Sequence, residues 1–117
     1  MNKVKLSLLL LLGLPFSVFA QQAEHDLCPT SLGGIAVHEQ AKMCQQFNAD
    51  EHSSHQSLSY YLPLSTQEAI AFYQQQHNEL TLHSSFNGRV LLTMNDNNIR
   101  VAVSTDNLGS QIDILIL

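Results

Sequence analysis

The chain has 117 residues, 44% of them hydrophobic, and a formal net charge of −5 at pH 7. That length supports one small domain, near the size at which a core alone is only just sufficient. The acidic balance argues against nucleic acid and anionic lipid as partners, because both need a cationic face.

Residues 1–20, MNKVKLSLLLLLGLPFSVFA, read as a secretory signal peptide. Lys3 and Lys5 form the basic start, Leu6 to Leu14 the apolar core, and Val18-Phe19-Ala20 a small-residue cleavage site. The apolar run is too short for a membrane anchor, and no cysteine stands at the cleavage point. The expected product begins at Gln21, in the periplasm or outside a bacterial cell. It keeps Lys42, Arg89 and Arg100 as its only Lys or Arg residues, against ten Asp and Glu. No membrane insertion is expected of it.

Residues 21–34 are polar, contain Pro29, and read as an N-terminal arm; residues 35–117 read as a single α+β domain. In GGIAVHEQAKMCQQF, Val37, Ala41, Cys44 and Phe47 recur at helical spacing. Met43 to Phe47 can equally form one arm of a hairpin that passes through DEHSSH into Leu58–Leu62. SLSYYLPL is a strand stopped by Pro63.

STQEAIAFYQQQHNEL is the most sharply specified element. Ser65 and Glu68 form a capping box, and Ala69, Phe72, Tyr73 and Leu80 make an apolar stripe with Ile70 beside it. His77 falls at the helix end, where a protonated imidazole favours the dipole. LTLHSSF, Asn87-Gly88, RVLLTM, NDNN, IRVAVS, TDNLGS and QIDILIL then alternate strand and turn, which implies an antiparallel meander. The expected architecture is α+β and two-layered: an antiparallel sheet of about five strands with one main helix packed on one face.

The Gly33–Lys42 segment, GGIAVHEQAK, and SYYLPLSTQEAIAFYQQQ together resemble a recurring exported bacterial α+β domain. Its members carry a PVYPGA-like turn, a strand, and a Ser-initiated helix with a central Phe-Tyr pair. The likeness rests on Ile35, Val37, Ala41, Ser65, Glu68, Phe72 and Tyr73. Here His38-Glu39-Gln40 stands in place of the aromatic-Pro-Gly of the pattern. The resemblance tips residues 35–47 toward strand and implies no activity.

Cys28 and Cys44, an even pair in an exported chain, are expected to form a disulfide. A zinc site from His25, Cys28, His38 and Cys44 is the weaker reading, since that spacing matches no closed zinc knuckle. There is no G-x-S-x-G, H-E-x-x-H, phosphate-binding glycine loop or dinucleotide fingerprint, so an enzyme is not expected. Six histidines raise metal binding. In Asp50-Glu51-His52-Ser53-Ser54-His55, two imidazoles three apart could share a zinc or copper ion if the segment formed a helical turn. Cleavage before Ala23 would expose Ala-Glu-His, a square-planar Cu(II) motif.

The face of the sheet turned away from the helix is the other candidate. If Ile112, Ile114 and Ile116 face the helix, Leu115 and Leu117 point away, near Ala102 and Leu91. That apolar cluster would take a protein partner, a small apolar ligand or a second copy in a homodimer, unless the arm folds across it. The function expected is thus a small exported, non-enzymatic binding or accessory domain without a cofactor. The alternative is a periplasmic zinc- or copper-binding protein that uses His52 and His55.

Overall fold

A computed structural model describes residues 27–117. The expected signal peptide, residues 21–26 of the arm, His25 and the Ala23-Glu24-His25 motif lie outside the described residues. The elements in chain order are β1 (Ser31–Leu32), β2 (Ile35–Ala36), β3 (Lys42–Phe47), β4 (Gln56–Leu62), α1 (Thr66–Gln76), β5 (Thr81–Phe86), β6 (Arg89–Met94), β7 (Ile99–Asp106) and β8 (Gly109–Ile116). The class is α+β, as expected, but the strand count is not. The principal sheet has six antiparallel strands in the order β3-β4-β8-β7-β6-β5, and β1 with β2 makes a separate two-stranded ribbon. Two-residue strands carry no alternation that a sequence could reveal.

Residues 35–47 are extended. They form β2, a bend, and β3, which pairs with β4 through a register shift between Lys42 and Gln45, where Met43 takes φ 56°. The meander β5–β8 is built on chemistry visible in the turns. Asn87 and Gly88 both take positive φ, 50° and 78°, the conformation of a tight hairpin turn whose twist matches its strands. Asn95, Asp96 and Asn97 carry the next turn, all at positive φ, and Asn107 the last. β8 then returns beside β4. Alternation of direction across the sheet makes β4 and β5 parallel, so α1 is the crossover that carries the chain past three strands to the far edge.

That crossover forms where the capping box predicts. Ser65 Oγ accepts from Glu68 N–H at 3.2 Å, and Ser65 N–H donates to Glu68 Oε1 at 3.2 Å. The helix ends at Gln76, short of Leu80, which is reached by a turn in which Leu80 N–H donates to His77 O. Ala69 and Tyr73 are its buried residues; Phe72 and Ile70 pack partly against the core. α1 lies over β7 and β8.

The core is the layer between α1 and one sheet face: Leu58, Tyr60 and Leu62 from β4, Leu92 from β6, Val101 and Val103 from β7, Ile112 and Ile114 from β8. Leu32, Ile35 and Val37 join it, so the segment after Cys28 packs on the helix side. Three contacts tie it there. Ala36 N–H donates to His77 Nε2 at 3.1 Å, His38 N–H donates to Tyr60 Oη, and the His38 and Phe72 rings sit 4.6 Å apart. His77 therefore serves through Nε2 as the acceptor for a backbone donor. Cys28 and Cys44 form the expected disulfide, with Cα atoms 5.6 Å apart, which pins the start of the segment to the edge strand β3.

Two buried phenols meet in the middle of this layer. Tyr60 Oη and Tyr73 Oη share a hydrogen bond, and burial pushes both pKa values up. Tyr60 is raised by burial, with the bonds from Tyr73 and His38 opposing; Tyr73 is raised by burial and further by Tyr60.

Candidate functional site

Because side chains alternate across a strand, the core face and the open face can be read from the pairing register. On the open face, Leu115 of β8 lies opposite Arg100 of β7, which lies opposite Thr93 of β6. In the next row Ser59, Asp113, Ala102, Leu91 and Ser84 run across β4, β8, β7, β6 and β5. Beyond it come Tyr61, Gln111, Ser104, Arg89 and Phe86. Ala102 is thus the small residue at the centre of a face whose neighbours are Leu91, Asp113, Leu115 and the two arginines.

A depression of about 400 Å³ results. Its floor is apolar, formed by Leu91, Ala102 and Leu115, and Ala102 is only 5% exposed although no helix covers it. Arg89, Arg100 and Asp113 wall it, while Ser84 and Phe86 contribute from the edge strand. Phe86 is 76% exposed, a large aromatic ring held over water at the rim. The structure so brings together Leu91, Ala102 and Leu115 of the four open-face residues singled out by sequence. It does not bring in Leu117, which follows β8 and donates its N–H to Asn98 O. The described end of the arm does not lie across this face: Leu32, followed by Ile35 and Val37, packs on the opposite side.

The polar walls are not legible in the sequence, because their convergence depends on register. Arg89 Nη2 stands 3.9 Å from Asp113 Oδ2, and Arg89 Nη1 donates to Ser104 Oγ at 3.3 Å. Ser59 Oγ donates to the other carboxylate oxygen of Asp113 at 2.7 Å, and Gln111 Nε2 donates to Ser59 Oγ at 3.3 Å. Arg100 is held differently, by donation of its Nε–H to Asn97 O at 3.0 Å. The two ion pairs among the described residues are Glu51–His52 and Arg89–Asp113, so Arg100 has no carboxylate partner there.

The histidine loop is organised for another purpose. Asp50 Oδ1 accepts from the N–H groups of His52 at 2.8 Å and Ser53 at 2.9 Å, and Asp50 N–H donates to Ser53 O. This Asx turn engages Oδ1 of Asp50, one of the two carboxylates, with Glu51, that could have joined the imidazoles as a further ligand. His52 and His55 are both exposed, in a loop with no helical turn to set them on one side. Among the described residues no group of three or more His, Cys, Asp or Glu side chains is placed to hold a metal ion. The zinc reading of Cys28 and Cys44 is overturned by their disulfide.

Among the described residues no helix is long and apolar enough to cross a membrane. No family model, no curated protein and no solved structure matches the chain, so the reading of the site rests on its own geometry.

Proposed function

We propose that residues 21–117 form an exported, non-enzymatic binding module that receives its ligand or partner on the open face of the sheet. The observation that carries this is the depression centred on Ala102. It has an apolar floor, a charged wall and no covering element from residues 27–117. Pockets that hold small ligands share this make-up, an apolar lining with a few placed polar groups. Its chemistry is that of contact: neither histidine nor cysteine lines it, and its carboxylate, Asp113, is already engaged by Arg89 and Ser59. The leader-like residues 1–20 and the Cys28–Cys44 disulfide support export, since disulfides persist in oxidising compartments.

The test uses isotope-labelled protein recovered after export from a bacterial host. Its intact mass should begin at Gln21; retention of residues 1–20 would refute export. Addition of cell-envelope extract should perturb amide resonances of β6, β7 and β8 around Ala102. Ala102→Trp, which fills the depression, should remove that response. Perturbations confined to other surfaces, or unchanged in Ala102→Trp, would overturn the reading.

A further inference from the structure

Arg89 and Arg100 are the only two arginines of an acidic chain, and both stand on the wall of one apolar depression. We propose that this depression is a site for a single-chain organic anion, with the acid group held by Arg100 and the apolar body laid over Ala102 and Leu91. The inference rests on the open face being the binding surface and names the chemistry of its occupant.

Charge complementarity selects the anion. Arg89 is already neutralised by Asp113, and its second amino group is bonded to Ser104. Asp113 in turn accepts from Ser59, so the acid on the wall is engaged by its own partners. Of the two arginines on the depression, Arg100 is the one left without a carboxylate among the described residues. Its Nε–H is bonded to Asn97 O, which fixes the stem and leaves the terminal amino groups to present a fork to a carboxylate. It lies two residues from Ala102 on β7, about 7 Å along the strand, so head group and apolar body fit side by side.

Size and setting select a small molecule over a bilayer. The depression holds about 400 Å³, within the range of small-ligand pockets. Across the rest of the face the register places Phe47 and Tyr61 among Ser57, Ser59, Ser104 and Gln111, with Lys42 as the one further Lys or Arg, short of the cation density that binding to an anionic bilayer needs. Phe86 supplies the far wall. It stands on edge strand β5, whose residues are all exposed, so its ring is placed to close over an apolar chain.

The experiment titrates the exported, isotope-labelled protein with decanoate below its micelle concentration, in parallel with decanol and decyltrimethylammonium. Saturable shifts of amides around Ala102 are expected with decanoate. Decanol should bind about 10-fold more weakly, the worth of one charge-assisted hydrogen-bonding contact. The cation should not bind. Arg100→Gln should bring decanoate down to the level of decanol, Arg100→Lys should retain part of the difference, and Ala102→Trp should abolish both. Equal affinity for decanoate and decanol would overturn the anion assignment while leaving the open face a binding surface. Absence of any shift would overturn the amphiphile assignment, and the response to envelope extract would then judge the binding surface alone. Shifts confined to the helix side would overturn both. Co-sedimentation with phosphatidylglycerol vesicles, lost in Arg100→Gln, would overturn the choice of a free molecule over a membrane.

Discussion

At the scale of single residues, His77, Gly109 and the Tyr60–Tyr73 pair do work that their types alone do not announce. His77 accepts the N–H of Ala36, a donor in the half-buried ribbon. His77→Ala should destabilise by about 1 kcal/mol, the net worth of one hydrogen bond at a half-buried site, as read from the denaturant midpoint. His77→Gln, which restores an acceptor, should recover part of that; equal loss in both would show that packing and not the bond is at issue. Gly109 is needed for space: a Cβ there would fall on Tyr61 Oη and Leu62 O. Gly109→Ala should cost about 1–3 kcal/mol as an overpacked site, and an unchanged melting temperature would refute the contact. The phenols give a pH dependence whose sign is fixed by their raised pKa. Below the ordinary value of 10.0 both states hold these protons and the stability is fully present. Above it the unfolded chain releases protons that the folded chain retains, so stability falls as pH rises. The denaturant midpoint should drop on the alkaline side of pH 10.0, and less so in a Tyr60→Phe/Tyr73→Phe double variant. A midpoint that ignores pH in the wild type would count against the buried pair.

At the scale of elements, the helix start is the most exposed to a clean test. Ser65→Ala removes the acceptor for Glu68 N–H, and since both groups are exposed the change should cost about 1 kcal/mol without touching the core. Ser65→Asp should restore most of it, and no difference between Ala and Asp would argue against the cap. This element and the three turns of the meander were legible in the sequence because each is written in local chemistry: Ser65 with Glu68, Asn87 with Gly88, the Asn/Asp cluster at 95–98. What was not legible lacks local chemistry. β1 and β2 are two residues each and exist because Leu32 and Ile35 reach the core. β5 alternates in sequence, yet all six of its residues are exposed, since it is an edge strand with a register shift between Leu82 and Ser84. Alternation reports which face a residue takes, and burial depends on what lies beyond that face. A bulged edge is also a common defence against further strand pairing.

At the scale of the whole molecule, the site is a product of topology. Leu91, Ala102 and Leu115 could be placed on one face from the alternation of their strands, but the walls could not. Arg89, Asp113 and Ser59 come from β6, β8 and β4, and they meet only because β8 returns between β4 and β7 after the helix has crossed the sheet. The same topology separates the covalent staple from the site. The disulfide joins the segment before β1 to β3, at the opposite edge of the sheet from Phe86, and it holds Leu32, Ile35 and Val37 on the helix side. Closing a loop of 16 residues should contribute about 3 kcal/mol in the chain-entropy model. Cys28→Ser/Cys44→Ser should therefore lower the denaturant midpoint by an amount of that order. Under conditions where the variant stays folded, amide resonances of β5, β6 and β7 and the response at Ala102 should match the wild type. The two outcomes are independent. A small stability loss would mean that the core alone holds the ribbon in place, whereas altered open-face resonances in a folded variant would mean that the two layers are coupled and the site depends on the staple.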